Sequence, residues 1–194
     1  MVPVGINIGK SRATPLEQAT DDYLHSFRLL RDFADYIALN VSSPNTPGLR
    51  ELQEPQKLSE LLQAIGREPG ASGKPILVKI SPELSPIELE AILATCEENA
   101  VAGIVATNTT IDHSLIPPAL DEDGGLSGVP LREKSTALVR EIVGKSAIPV
   151  IASGGISDVE SAKEKFQAGA HLIQLYTGFV YRGPRVLREI MEGI

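Results

Sequence analysis

The sequence predicts an α/β protein built on a parallel sheet. Two observations favour this fold class. Six short apolar runs rich in β-branched residues recur along the chain, and segments with the spacing of amphipathic helices lie between them. The runs are continuously apolar, which is typical of parallel strands that are buried on both faces. The predicted strands are residues 4–8, 36–40, 76–80, 103–107, 150–153 and 172–176.

Three of the intervening helices are predicted to begin at a capping box, in which Ser or Thr is followed three residues later by Glu. These boxes are residues 14–17, 85–88 and 157–160. In the first helix one face carries the apolar side chains that core packing requires, namely Tyr23, Phe27, Leu30 and Ala34. A last helix is predicted from Pro184 to Met191.

Composition excludes several classes of function. A chain of 194 residues with 42% apolar and 22% charged residues can bury a core. Its net charge of −7 argues against a nucleic-acid surface, because no basic block could neutralise a run of phosphates. No apolar run reaches the roughly 20 residues that cross a bilayer, and no signal-peptide layout is present, so a soluble, intracellular chain is expected.

Cysteine and histidine usage gives no sign of a metal site. Cys96 is the only cysteine, which excludes an intramolecular disulfide and a cysteine zinc cluster, and it is expected to pack inside a helix. The three histidines, His25, His113 and His171, have no metal-ligand spacing. We therefore predict no metal.

Two parallel architectures compete. A doubly wound sheet binds its ligand at one switch point, whereas a (β/α)8 TIM barrel uses the carboxyl ends of many strands around one mouth. Each predicted strand ends at, or within two residues of, a residue able to bind a ligand: Asn7, Asn40, Lys79, Asn108, Gly154–Gly155 and Tyr176–Thr177. Asparagine and glycine are also ordinary turn residues. Lys79 is the stronger sign, because a lysine in an apolar strand is costly unless it faces a polar site.

The barrel is expected to be incomplete. Six βα units are visible, whereas a barrel of this kind has eight. The two missing units are expected to precede residue 1, so that residues 1–194 form a single catalytic barrel domain without its amino-terminal portion. Such an arc should expose two sheet edges, which predicts poor solubility or pairing with another chain.

Three glycine-rich segments are predicted to meet at the end of the barrel that usually holds phosphate. They are residues 123–128, 152–157 and 176–179. Glycines let backbone amides approach phosphate oxygens closely, and a helix start adds favourable partial charge. Any one glycine pair is more often a turn, so the three together carry the prediction.

These motifs resemble the quinone-dependent, class 2 dihydroorotate dehydrogenases. The resemblance rests on GINIGK, NVSSPNTPGLR, LVKISPEL, IVATNTT, GGLSG, GGI and LIQLYTGF, which run in order across nearly the whole chain. It implies an FMN-binding TIM barrel that oxidises dihydroorotate to orotate in pyrimidine (UMP) biosynthesis, with a quinone as final electron acceptor. It also implies that any membrane contact is made by an amino-terminal region outside these residues.

The resemblance further implies roles for individual residues. Ser43 matches the catalytic base, and serine rather than cysteine there favours class 2. The residues that match substrate-binding positions are Asn40, Asn45, Asn108 and Thr109. Thr109 or a water chain is also expected to remove the proton from the Ser43 hydroxyl. Matches to flavin-binding residues are Asn7, Asn40, Lys79, Thr107, Gly128, Gly155, Tyr176 and Thr177. Arg50 is left open between a ligand contact and a pair with Glu51 or Glu54.

Two other functions stay open. The chain could belong to another FMN-dependent TIM-barrel oxidoreductase with the same phosphate-binding glycine segments and a different substrate. It could also be an inactive fragment that only binds a ligand or a partner.

Overall fold

The fold is a six-stranded parallel sheet with a helical layer, described for residues 2–194 by a computed structural model. The strands are β1 (Gly5–Ile8), β2 (Tyr36–Asn40), β3 (Ile76–Ile80), β4 (Gly103–Ala106), β5 (Val150–Ser153) and β6 (Leu172–Gln174). They lie side by side in the order of the sequence, and all are parallel. A doubly wound sheet reverses its order at a switch point, so the sequential order confirms the predicted arc of a (β/α)8 barrel.

Helices follow every strand. They are α1 (Ala19–Leu30), α2 (Pro55–Gly66), α3 (Pro86–Glu98), α4 (Arg132–Lys145), α5 (Val159–Gln167), α6 (Thr177–Arg182) and α7 (Arg185–Gly193). Short 3₁₀ segments occupy Leu16–Gln18, Arg31–Phe33, Leu49–Gln53, Pro118–Leu120 and Val129–Leu131. Within residues 2–194, none of the helices combines the length and the apolar character that crossing a bilayer would require.

One of the three predicted capping boxes is correct. At α3 the Ser85 hydroxyl accepts from the Glu88 N–H, and the Glu88 carboxylate accepts from the Ser85 N–H at 2.8 Å. The box at residues 14–17 is wrong, because Pro15 precedes a 3₁₀ turn without a side-chain cap and α1 begins only at Ala19. The box at residues 157–160 is one residue early: Asp158 caps α5, and its carboxylate accepts from the Ser161 N–H at 2.8 Å.

The outer face of the sheet packs against the helices and forms the main core. Its strand residues are fully buried and include Ile37, Leu39, Val78, Ile80, Ile104 and Val150. From α1, Tyr23 and Phe27 join this core as predicted. Cys96 of α3 is also buried there, and burial raises the pKa of its thiol to about 12, as expected for a packing residue.

The inner face of the sheet is smaller and partly polar. Ala38, Leu77 and Val105 form a separate buried cluster on this face. Nearer the carboxyl ends of the strands, Asn40 and Lys79 are register neighbours on β2 and β3. Because side chains alternate between faces along a strand, Leu39 and Val78 enter the helical core while Asn40 and Lys79 face inward. Within residues 2–194, β1 and β6 each have one neighbour and form the expected edges.

Candidate active site

The carboxyl ends of the strands surround a cleft of about 540 Å³. Nine predicted site residues line it: Asn7, Lys79, Thr107, Asn108, Thr109, Gly128, Gly155, Tyr176 and Thr177. Asn40 adjoins the cleft through a hydrogen bond to Asn108. Ser43 and Asn45 lie on the loop that follows β2, and this loop meets the cleft where Pro44 and Asn45 approach Gly125 and Gly124. The twelve residues predicted from the sequence therefore occupy one rim.

Hydrogen bonds join the ends of three neighbouring strands. The Asn108 Nδ2 donates to Asn40 Oδ1 at 2.9 Å and to Ser42 Oγ at 3.0 Å. Ser42 Oγ in turn donates to the Lys79 carbonyl at 2.6 Å. No acceptor within residues 2–194 pairs with the Asn40 Nδ2 group, so it is available to a ligand.

Sequence reasoning missed Ser42, which lies at the centre of this network. Asn40 and Ser42 are two residues apart, the spacing that puts side chains on the same side of an extended chain. That spacing could have pointed to Ser42.

Lys79 presents an amine without a protein partner. In the described part of the chain its Nζ makes neither a hydrogen bond nor an ion pair, although its carbonyl is bonded to Ser42. The side chain is half-buried, and burial lowers the pKa of its ammonium group. A cation with unused donors at the wall of a cleft is suited to an electronegative ligand atom.

The loop over residues 123–128 packs against the segment that carries Ser43. A methyl group built on Gly125 would lie 1.9 Å from Thr109 Oγ1 and 2.9 Å from Pro44 Cγ, so only glycine allows this approach. The loop is held by an antiparallel bridge in which Thr110 and Leu126 exchange backbone hydrogen bonds of 3.0 and 2.7 Å.

The two hydroxyl groups near this loop have different surroundings. Ser43 Oγ accepts a hydrogen bond from the Asn45 N–H at 3.3 Å. Thr109 Oγ1 is buried and has no hydrogen-bond partner. No hydrogen bond joins Ser43 and Thr109 in residues 2–194, so the direct relay between them stays a prediction.

Arg50 pairs with a residue that the sequence did not suggest. Its guanidinium lies 2.8 Å from the Glu83 carboxylate and also reaches the carbonyls of Ser42 (3.3 Å) and Thr109 (3.5 Å). The alternatives Glu51 and Glu54 are wrong, because both carboxylates contact Lys57 instead. Arg50 thus ties the loop after β2 to the loops after β3 and β4.

Glu83 is the centre of that connection. Its carboxylate accepts from Ser81 (3.0 Å), Lys134 (3.1 Å) and Thr110 as well as from Arg50. Burial alone raises the pKa of Glu83, but hydrogen bonds from Thr110, Lys134 and Ser81 outweigh it and hold the pKa below its usual value. A charged carboxylate therefore joins three loops of the rim to α4.

At the other end of the cleft, glycines and hydroxyl groups lie together. Gly155 is buried with φ of +74°, and a methyl group built on it would lie 2.3 Å from Arg132 Cα. Across the cleft, Ser127 and Thr177 share a hydrogen bond of 2.8 Å. The Gly155 N–H has no acceptor within residues 2–194. Because Gly155 lines the cleft, this unpaired amide is a candidate donor to a ligand.

The fold and the cleft define a class of protein, the ligand-binding (β/α)8 barrels with their site at the carboxyl ends of the strands. The dihydroorotate dehydrogenase family model matches residues 1–194. The chain belongs to the dihydroorotate dehydrogenase family.

Comparison with known proteins gives the same family. The chain is 48% identical over 198 residues to a dihydroorotate dehydrogenase (quinone) of Gloeobacter violaceus, covering 100% of this chain and 55% of the relative. It is 48% identical over 195 residues to a protein of the same name from Halobacterium salinarum, again covering 100% of this chain and 55% of the relative. The chain thus spans about half the length of the curated relatives it matches.

A solved structure shares the fold. The crystal structure of ligand-free DHODH from Eimeria tenella matches with a TM-score of 0.86 and 35% sequence identity, covering 98% of this chain and 58% of that one. A second structure of DHODH from Eimeria tenella, in complex with ferulenol, has a TM-score of 0.87 and 34% identity over 97% of this chain and 56% of that one.

Proposed function

We propose that this chain forms the ligand-binding part of an FMN-dependent dihydroorotate dehydrogenase. The enzyme would oxidise dihydroorotate to orotate in de novo pyrimidine biosynthesis and pass the electrons to a quinone. One observation carries the proposal: the ends of β2, β3 and β4 meet in one hydrogen-bonded cluster beside an unpaired lysine amine. The six βα units are, on this proposal, part of a single catalytic barrel domain.

The donors of the cleft suit a flavin with a phosphate tail. The cleft volume of about 540 Å³ falls in the range of small-molecule sites, roughly 300–1,000 Å³. Lys79 would place its positive charge against the electron-rich side of the ring, and Asn7, Asn40 and Thr107 would make further contacts. Gly128, Gly155, Tyr176 and Thr177 would hold the ribityl and phosphate groups. FMN, when bound, supplies the acceptor for the hydride that leaves C6 of the substrate.

The loop after β2 would bind the substrate and carry the base. Asn40, Asn45 and Asn108 offer amide donors and acceptors that match the imide-like groups of a pyrimidine, with Thr109 beside them. Ser43 would take the proton from C5 of dihydroorotate. The Asn45 N–H donates to the Ser43 Oγ, which favours the deprotonated form of the Ser43 hydroxyl. The glycine-rich loop of residues 123–128 would exclude water from Ser43. A serine is a weak base at neutral pH, so positioning has to provide much of the rate.

The experiment is an anaerobic titration of the purified protein with FMN, followed by orotate and by dihydroorotate. Dihydroorotate should bleach the bound flavin, and a quinone should restore its absorbance. Ser43→Ala should slow bleaching by about 10²–10⁴-fold, the usual contribution of a general base, while Ser43→Cys retains part of it. Orotate binding should stay intact in both variants.

The alternatives give different results in the same titration. Flavin binding without any spectral response to orotate would favour another FMN-dependent barrel oxidoreductase. A folded protein that binds neither FMN nor orotate would favour a non-catalytic binding module. Bleaching at the normal rate in Ser43→Ala would exclude Ser43 as the base.

A further inference from the structure

A fully buried lysine lies beneath the glycine turn that follows β5. Lys165 of α5 is 0% exposed. Its Nζ donates to three oxygens at the start of α4: the Arg132 carbonyl (3.1 Å), Ser135 Oγ (2.5 Å) and Thr136 Oγ1 (2.6 Å). All three acceptors are uncharged, and no carboxylate in residues 2–194 lies within ion-pair distance of this amine. Burying a cation without a counter-ion lowers the stability of the fold, which points to a functional role for Lys165.

Ser135 connects this lysine to the cleft. Its hydroxyl accepts from Lys165 and donates to the Gly154 carbonyl at 2.9 Å. The C=O and N–H of a trans peptide point in opposite directions, so this bond turns the Gly155 N–H away from α4. Both glycines line the cleft, and the Gly155 N–H has no acceptor in the described residues.

The charges around the turn favour an anion. α4 begins at Arg132, and the start of a helix carries a partial positive charge. Lys165 adds a full charge of the same sign at that point. The adjacent residue on the same helix, Glu164, accepts hydrogen bonds of 2.6 and 2.8 Å from Arg132. Within residues 2–194, Lys165 therefore has no direct carboxylate partner, and its positive charge lies below the turn.

We propose that Lys165 is a positioning residue for the phosphate group of the ligand: through Ser135 it fixes the Gly154–Gly155 turn, and it places a buried positive charge beneath it. The inference rests on the proposed function and deepens it, because it assigns the phosphate-binding end of the cleft a residue that does not touch the ligand. The ligand class is a phosphate monoester bound as the dianion.

The proposal implies that phosphate binding and the protonation of Lys165 are linked. Burial lowers the pKa of Lys165 to about 8; Glu164 raises it, and Arg132 and Arg140 of α4 lower it further. Near pH 8 the amine is therefore partly neutral in the free protein. A bound dianion favours the charged form and raises this pKa, so ligand binding should take up protons.

The first test compares FMN with riboflavin, which lacks the phosphate. Lys165→Met should weaken FMN binding about tenfold, equivalent to about 1.4 kcal/mol, and leave riboflavin binding unchanged. Lys163→Met is the matched control, because Lys163 lies on the exposed face of the same helix and its loss changes the net charge equally. An equal loss for FMN and riboflavin, or no loss for either, would overturn the proposal.

The second test needs no variant, so it holds even if Lys165→Met fails to fold. Calorimetric titration of the unmodified protein with FMN at pH 8, in two buffers of different ionisation enthalpy, should show proton uptake, whereas riboflavin should show none. The phosphate has its second pKa near 6, so the ligand itself takes up no proton at pH 8. FMN binding without proton uptake would overturn the proposal.

Inorganic phosphate separates this inference from the proposed function. If the protein binds phosphate with proton uptake but binds neither flavin, the role of Lys165 stands and the flavoenzyme proposal fails. If FMN binds without a phosphate-specific contribution from Lys165, the flavoenzyme proposal stands and the role of Lys165 fails. Absence of binding by FMN, riboflavin and phosphate would overturn both.

Discussion

The outer face of the sheet and the rim at its carboxyl edge differ in how completely their groups are satisfied. On the outer face, buried apolar side chains of the strands pack against helices in one continuous core. At the rim, Lys79 Nζ, Thr109 Oγ1 and the Gly155 N–H lack protein partners within residues 2–194. Groups of this kind reduce stability and suit ligand binding, so the stability of the fold has to come from the outer face.

Adjacent residues on β2 give the sharpest test of this difference. Leu39 faces the helical core and is 0% exposed, whereas Asn40 faces the cleft. Leu39→Ala should lower the free energy of unfolding by about 2–5 kcal/mol, because it leaves a cavity in the core. Asn40→Ala should lower it by only about 0.5–1.5 kcal/mol, the usual net worth of a hydrogen bond. Urea denaturation measures both, and equal losses would contradict the distinction between the two faces.

The ion pairs of Glu83 with Arg50 and Lys134, behind the rim, are expected to have the next largest effect on stability. Glu83→Gln leaves the cations of Arg50 and Lys134 without their carboxylate and should cost about 1–3 kcal/mol of unfolding free energy. Glu51→Gln is the control, since this more exposed carboxylate pairs with Lys57 at the surface and should matter by at most about 1 kcal/mol.

The pH dependence of that network has a defined sign. The pKa of Glu83 is lowered in the folded protein, so its contribution is present above the pKa of the unfolded chain and is lost as pH falls through the folded value. The difference in stability between the original protein and Glu83→Gln should therefore shrink in acid. A constant difference down to pH 2 would contradict the charged network.

The strands show how far the sequence predicts this fold. Three of the six strands, β2, β3 and β5, have the predicted bounds, because continuous β-branched runs mark buried strands well. The fourth and sixth strands end earlier than predicted, at Ala106 and Gln174, and the residues that follow leave the sheet to line the cleft. Local pattern cannot separate the last strand residue from the first residue of the site, because both are compatible with an extended backbone.

The site was predictable only in part, for a related reason. Residues at strand ends can be found from the strands themselves, since parallel strands bring their carboxyl ends together. The Lys134–Glu83 and Lys165–Ser135 contacts join residues 51 and 30 positions apart, in loops and helices whose spacing carries no local sign of the pairing. Such contacts depend on how the helices pack, which the sequence pattern leaves open.

Lys79→Met should improve stability while it impairs binding. Methionine keeps the apolar stem and removes a half-buried charge, so the free energy of unfolding should rise by up to about 1 kcal/mol at pH 7, while FMN affinity falls. Because burial lowers the pKa of Lys79, the cost of its charge disappears as pH rises towards the unfolded pKa. The gain from methionine should therefore diminish as pH rises through the folded pKa of Lys79 and vanish above the unfolded value of about 10.5. A loss of stability in Lys79→Met at pH 7 would show that the charge of Lys79 does not destabilise the fold.

The smallest expected effect concerns the loop that covers the rim. His113 Nδ1 lies 2.5 Å from Asp121 Oδ1, and its Nε2 lies 3.0 Å from the Gly124 carbonyl. Both partners are acceptors, so both ring nitrogens have to carry protons, and the hydrogen bond to Asp121 raises the pKa of His113. A raised histidine pKa stabilises the loop at low pH, and this contribution is lost as pH rises through the folded value.

The imidazole of His113 should thus titrate above its ordinary value of about 6.5, and the Gly124 and Gly125 amides should shift with the same midpoint in NMR spectra. Asp121→Asn should move both midpoints to lower pH, because the main cause of the shift is removed. Since Gly125 packs against Thr109 and Pro44, loosening of the loop at higher pH would open the rim beside Thr109 and leave the glycine turn after β5 unchanged. Identical midpoints in the two proteins would show that Asp121 does not hold the loop.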